Sequence, residues 1–211
     1  MNDADGKQTP PESTLRSPDR LESFFDAVLA IAITIMVLSF EIPQKVPGSD
    51  VSTIFWAVWP QIFHYAVAFA ILATFWIIHH RVFAVIRYTD SMLVLINITI
   101  IFFTCLVPFS TALNMDSDVG SGKMILFQAI MLILALLFLL QWTWVKRHPE
   151  YLNRTLSDSY IRIQTFASVL FPTFAFIALL LAFVIPDWSS FAYFGIFFGM
   201  RFIHLKEKSS H

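Results

Sequence analysis

The sequence predicts an all-α integral membrane protein with six transmembrane helices and both termini in the cytosol. Three observations carry that expectation. Apolar residues make up 57% of the 211-residue chain, with 23 Phe and 6 Trp, against 14% charged residues; the charged share is about half that of a soluble domain. A soluble core of this length could not hide so much apolar surface. Six stretches reach the roughly 20 apolar residues that cross a hydrocarbon core of about 30 Å. With both termini on one side, that side receives 12 of the 14 Lys and Arg residues and the other only Lys45 and Lys123. Such a bias places the basic side in the cytosol.

Taken in order, residues 1–19 are polar and rich in Pro, Ser and Asp, and are expected to form a disordered cytosolic tail. They lack the basic segment leading into an apolar run that marks a cleavable signal, so the first span is expected to act as its own insertion signal. A single membrane domain is predicted over 20–205, followed by a short cytosolic tail over 206–211. Its spans are predicted at about 22–42, 53–79, 91–113, 122–145, 162–185 and 189–205. Ser17-Pro18 suits a cap followed by proline at the first helical position, and Asp19 with Glu22 offers a capping box. Pro43 and Pro47 stop the first helix, and the polar runs 114–122 and 186–187 are turns. Pro60, Pro108 and Pro172 fall inside spans, where neighbours can satisfy the freed carbonyls. Cys105 lies in an apolar run and is expected to be a buried thiol.

Ile31, Thr34, Ile35 and Leu38 recur at i, i+3, i+4 and i+7, which sets them on one stripe of the first helix. The stripe either packs into the bundle or lines a narrow pore where several subunits meet. Asp26 is an ionisable group inside the span, a costly placement. It lies five residues from Ile31, about 140° around the helix at about 100° per residue. It is read as a buried carboxylate that fixes helix packing rather than as a contact for a permeant ion. The second span ends in Phe75-Trp76-Ile77-Ile78-His79-His80-Arg81. These donors lie at the depth of Asp26 and Arg20, and a network between the first two helices is expected there. His79 and His80 lack an H-x-x-x-H partner, so no metal is expected. Gln61, His64 and Asn97 are expected to bond between helices.

Several function classes lose support. The loops are too short to house soluble chemistry, and no nucleophile–base constellation or phosphate loop is present. No charge lies near the midplane, as a proton-coupled carrier would need, and no TVGYG filter occurs. A secondary transporter would favour internal repeats with broken helices. A non-conducting scaffold stays open. The bilayer is the one partner that composition demands; no nucleic acid is expected.

The segment RLESFFDAVLAIAIT, residues 20–34, resembles the signature R-x-x-x-F-S-D, with its following threonine-bearing apolar run, of the transmembrane protein 175 potassium channels. Arg20, Phe24 and Asp26 match, while Phe25 stands where that family has serine. The six spans, the cytosolic termini and the Trp76, His79 and His80 cluster also fit, extending the likeness over about 16–205. The resemblance implies a homotetramer whose first helices line a central pore in the cell membrane of a bacterium or archaeon. Its narrow point, five residues after the motif aspartate, falls on Ile31. The threonine eight residues after that aspartate falls on Thr34, and further apolar layers fall on Ile35 and Leu38. The implied activity is passive potassium flux with sodium disfavoured, without enzyme activity or cofactor, potassium passing transiently near Ile31 and Thr34. Losing the serine removes a hydroxyl from the network of Arg20 and Asp26. Phe25 is expected beside Trp76 or lipid instead.

Overall fold

The structure is a computed structural model that describes residues 17–40, 50–115, 122–153, 156–196 and 199. Among them, five helices are long and apolar enough to cross a membrane: α1 (Asp19–Leu38), α2 (Val51–Phe83), α3 (Ser91–Met115), α4 (Gly122–Arg147) and α5 (Asp158–Val184). The described residues hold no strand beyond an isolated bridge between Ile86 and Leu152. Most of the predicted N-terminal tail, the Pro43 and Pro47 stop, the centre of the 114–122 turn and the 206–211 tail lie outside the described residues.

Helix ends differ from the sequence reading where capping and apolar continuity decide them. Pro18 is the cap residue of α1 rather than its first helical residue, and it makes no side-chain cap bond. Its neighbour Ser17 instead bonds Asp19. α2 runs four residues past its predicted end because Val82 and Phe83 extend the apolar face. This puts His79 and His80 inside the helix. α5 starts four residues early because the Ser157 hydroxyl accepts from the Tyr160 N–H at 3.3 Å, a side-chain cap. At 33 residues, α2 is about 50 Å long. It exceeds the hydrocarbon core, and its first turns expose Phe55, Trp56 and Trp59, as suits a headgroup-level belt.

The sixth predicted span begins in a different form. Pro186–Tyr193 is a 3-10 helix, not an α-helix from residue 189. The Ser189 hydroxyl donates back to the Pro186 carbonyl at 2.7 Å. The Gln128 amide of α4 donates to Ser189 and Ser190 at 3.0 and 3.2 Å, and the Tyr193 hydroxyl donates to the Gln128 carbonyl oxygen at 2.7 Å. A buried side chain thus grips the tightened segment from within the bundle. Gly195 follows against the Phe174 ring, where a side chain would collide. Residues 194–196 and 199 are helical, and most of the remaining predicted span lies outside the described residues.

The helices alternate in direction. Arg20, Arg81, Arg87, Lys146, Arg147 and Arg162 gather at one end of the bundle, the basic end, and Lys123 lies at the other. The basic end is closed by bonds to backbone carbonyls. Arg87 N–H donates to Tyr151 O at 2.7 Å, Asn153 N–H to Val85 O at 2.9 Å, and the Tyr160 hydroxyl to Arg81 O at 2.5 Å. Mid-bundle, Phe75 of α2 stacks on Phe138 of α4 at 4.8 Å and meets Phe171 of α5 at 5.1 Å. Thr104 and Thr111 on α3 turn their hydroxyls onto carbonyls one turn back, which satisfies them without water.

Gln128→Leu removes a partner from three buried hydroxyls and leaves those of Ser190 and Tyr193 without their described bond, while Ser189 keeps Pro186 O. Leaving such groups unpaired costs about 1–3 kcal/mol, so the variant is expected to melt earlier in detergent. Unchanged melting would mean that the 3-10 segment docks without that grip.

Candidate functional site

α1 carries two faces of different chemistry. Phe25, Leu29, Ala32 and Met36 are buried and press on α2 and α3. The stripe of Ile31, Thr34, Ile35 and Leu38 lies about 140° around the helix at about 100° per residue. Among the described residues no element covers it: Ile31 is 55% and Leu38 83% exposed. α1 is the least buried of the five spans. On the stripe, the Thr34 hydroxyl shares its hydrogen between the carbonyls of Ala30 and Ile31, at 3.0 and 2.9 Å. With that hydrogen engaged, the oxygen lone pairs stay available on the outer face.

The inner face is clamped at the basic end. The Trp76 indole N–H donates to Asp26 Oδ1 at 2.9 Å. His80 Nδ1 meets Glu22 Oε1 at 2.9 Å, and the Trp76 and His80 rings stack at 5.7 Å. Between these contacts Phe25 is buried and stacks on His79 at 3.9 Å, with Phe83 on the other face of the imidazole at 4.3 Å. His79 Nε2 lies 3.0 Å from Asn97 Oδ1, which also accepts from Gln141 Nε2 at 2.7 Å. The Asn97 amide group donates to Leu93 O, so its oxygen is the acceptor and the neutral His79 ring carries its hydrogen on Nε2. Four helices therefore converge on one imidazole.

The expected partners are assembled with changes. Trp76 and Asp26 meet, but His80 takes Glu22, which lies one turn before Asp26 on the same flank. That i, i+4 spacing was the overlooked signal. His79 turns inward to α3 and α4 rather than to Asp26. Phe25 packs on neither Trp76 nor lipid; it fills the space beside His79 and meets Phe138 edge-on at 6.1 Å. Arg20 is exposed, as is Phe24, and the described hydrogen bonds and ion pairs of the clamp do not include Arg20. Asn97 bonds between helices as expected, whereas His64 makes an edge contact with its neighbour Phe63 at 5.8 Å. Cys105 is exposed rather than buried, because the interior face of α3 is taken by Ile100, Thr104 and Val107. It lines an apolar groove of about 490 Å³ between α1 and α3, together with Ile31, Ile35 and Phe109. Among the described residues no cluster of His, Cys, Asp or Glu could hold a metal ion.

Residues 20–108 match the family described as "Endosomal/lysosomal potassium channel TMEM175". The chain is 28% identical over 135 residues to a protein named potassium channel from Streptomyces collinus, covering 61% of this chain and 64% of that protein. A protein of the same name from Chamaesiphon minutus is 28% identical over 144 residues, 66% of this chain and 69% of the relative. Among solved structures, the chain is similar to a lysosomal potassium-selective channel TMEM175 homolog from Chamaesiphon minutus, with TM-score 0.71 and 25% identity, over 89% of this chain and 96% of that one.

Phe25 and Asp26 hold α1 by different physics, and their replacements separate the two. Phe25→Ala opens a cavity in the core and is expected to cost about 3–5 kcal/mol. Asp26 is part-buried rather than buried, and its bond comes from a Trp76 ring that is 42% exposed, so Asp26→Ala is expected to cost about 0.5–1.5 kcal/mol. Thermal unfolding in detergent should rank Phe25→Ala as the more damaging; the reverse order would make the carboxylate, not the stack, the main fastening of α1.

Proposed function

We propose that this chain, a multi-pass integral membrane protein, belongs to the TMEM175 family and is the subunit of a potassium-permeable channel whose ion path is lined by side chains of α1. The observation that carries the reading is the stripe of Ile31, Thr34, Ile35 and Leu38, apolar but for one hydroxyl and left exposed by the described residues of its own subunit. Its relatives are named channels, not enzymes. In the proposed assembly, a homotetramer in a bacterial or archaeal cell membrane with cytosolic basic ends, four stripes converge on a common axis.

The chemistry follows from the stripe's composition. A ring of Ile31 side chains makes a narrow apolar throat that offers an ion no substitute for its water, and such a throat gates by dewetting. Potassium sheds water at less cost than sodium, so the throat favours potassium. A ring of Thr34 hydroxyls one turn further returns part of the lost coordination through its free lone pairs. Ile35 and Leu38 extend the dry passage. The clamp at the basic end contributes by fixing the rotation of α1: Glu22, Phe25 and Asp26 all bond or stack on α2, so the opposite face is left for the axis.

Reconstitution into liposomes with a potassium gradient tests the function. Passive flux that persists without any coupling ion is the expected result; flux only with a second ion would indicate a carrier, and none at all a scaffold.

Two substitutions test the lining. Ile31→Asn is expected to wet the throat and raise monovalent cation leak, while Ile33→Asn, placed on the half-buried side of α1 against the core, is expected not to. Equal leak from both would remove Ile31 from the path. Thr34→Val keeps shape and branching but removes the oxygen. Bi-ionic reversal potentials in planar bilayers should show a lower potassium-over-sodium ratio, about tenfold lower if 1.4 kcal/mol of differential stabilisation is lost. Thr34→Ser should retain most of the ratio. An unchanged potential with valine would assign selectivity to the Ile31 ring.

A further inference from the structure

The bundle interior changes character abruptly one turn below its aromatic layer. Phe75, Phe138 and Phe171 form that layer from α2, α4 and α5. One turn toward the basic end stand His79 on α2 and Gln141 on α4, with Ser168 and then Gln164 on α5, while α3 contributes Asn97. The Trp142 indole N–H donates to Thr165 Oγ1 at 2.9 Å, which joins α4 to α5 beside this layer. All five polar side chains are at most 2% exposed.

Six buried side-chain polar atoms have no protein hydrogen-bond partner among the described residues, and four belong to this layer: His79 Nδ1, Gln141 Oε1, Gln164 Nε2 and Ser168 Oγ. Each would cost about 1–3 kcal/mol if left unpaired, and in a bilayer no bulk water reaches them from the side. Their chemistry is mixed. His79 Nδ1 and Gln141 Oε1 accept, because the histidine hydrogen is fixed on Nε2; Gln164 Nε2 donates; Ser168 does either. A cation would need acceptors alone, and the layer contains no carboxylate. Water, with two hydrogens to give and lone pairs to accept, matches all four.

We propose that this layer is a built water site within each subunit, in which one or two ordered water molecules bridge His79 Nδ1 and Gln141 Oε1 to Gln164 Nε2 and Ser168 Oγ. A buried water typically makes about three such bonds. The water joins α5 to the four helices already meeting at His79. It holds the imidazole between Phe25 and Phe83 in a single tautomer, and it is separate from the outward stripe of α1.

X-ray radiolytic footprinting of the full-length protein in liposomes, read by mass spectrometry, tests this. Hydroxyl radicals born from bound water oxidise side chains that bulk solvent does not touch. In the wild type, His79 is expected to be oxidised although it is fully buried, while Met131, equally buried and intrinsically more reactive, stays unmodified. In Gln164→Leu/Ser168→Ala, oxidation of His79 is expected to be lost; in Ser168→Thr, which keeps the hydroxyl, it is expected to remain. Unmodified His79 in the wild type overturns the proposal without reference to any variant. Oxidation of His79 undiminished in the double variant overturns it as well, as does a higher melting temperature of that variant, the signature of relieving a dry, unsatisfied layer.

Discussion

His79 and Asn97 share a hydrogen bond of 3.0 Å in the interior of the bundle, and the placement of the first four helices follows from it. A polar group in the membrane interior must find its partners within the protein. Asn97 meets that demand by accepting from both α2 and α4 while donating to its own helix. The imidazole so fixed becomes a flat platform on which Phe25 lies. A hydrogen bond thereby positions an aromatic contact, and the aromatic contact sets how α1 is rotated.

That rotation divides the labour of α1. Its inner face is apolar and large, with polar contacts confined to the basic end, where Trp76 and His80 reach Asp26 and Glu22. Its outer face needs no partner from the same subunit, which suits side chains that act only where copies meet. The far end is governed by a different device, the grip of Gln128 on the 3-10 segment. Among the described residues, the buried side-chain hydrogen bonds that join helices thus gather in two layers, with Phe75, Phe138 and Phe171 between them.

Much of this was legible in the sequence because the membrane imposes simple rules. Five of the six predicted spans recur as α-helices, with errors at the ends where a local signal was passed over: the Ser157 cap and the apolar continuation through Phe83. The sixth was misread at its start because 3-10 geometry depends on Ser189 and Ser190 being held by a residue some 60 positions earlier. The stripe on α1 could be read from spacing alone, as could the meeting of Asp26 with Trp76. The convergence on His79 could not, since Gln141 and Asn97 find each other only once the rotations of α3 and α4 are set. Cys105 illustrates the reverse error. In a membrane protein an apolar run marks contact with lipid or a neighbouring copy as readily as the interior, so hydropathy alone does not place a thiol inside.

The central claim is that the uncovered stripe of α1 faces the ion path. It is tested most directly by introducing single cysteines along α1 in a Cys105→Ser background and following block of potassium flux by Ag⁺, a small cation that binds thiolate. Block at positions 31, 34, 35 and 38, with none at 29, 32 or 33, is the result this account predicts. Block at the inner positions with the stripe unaffected would contradict it.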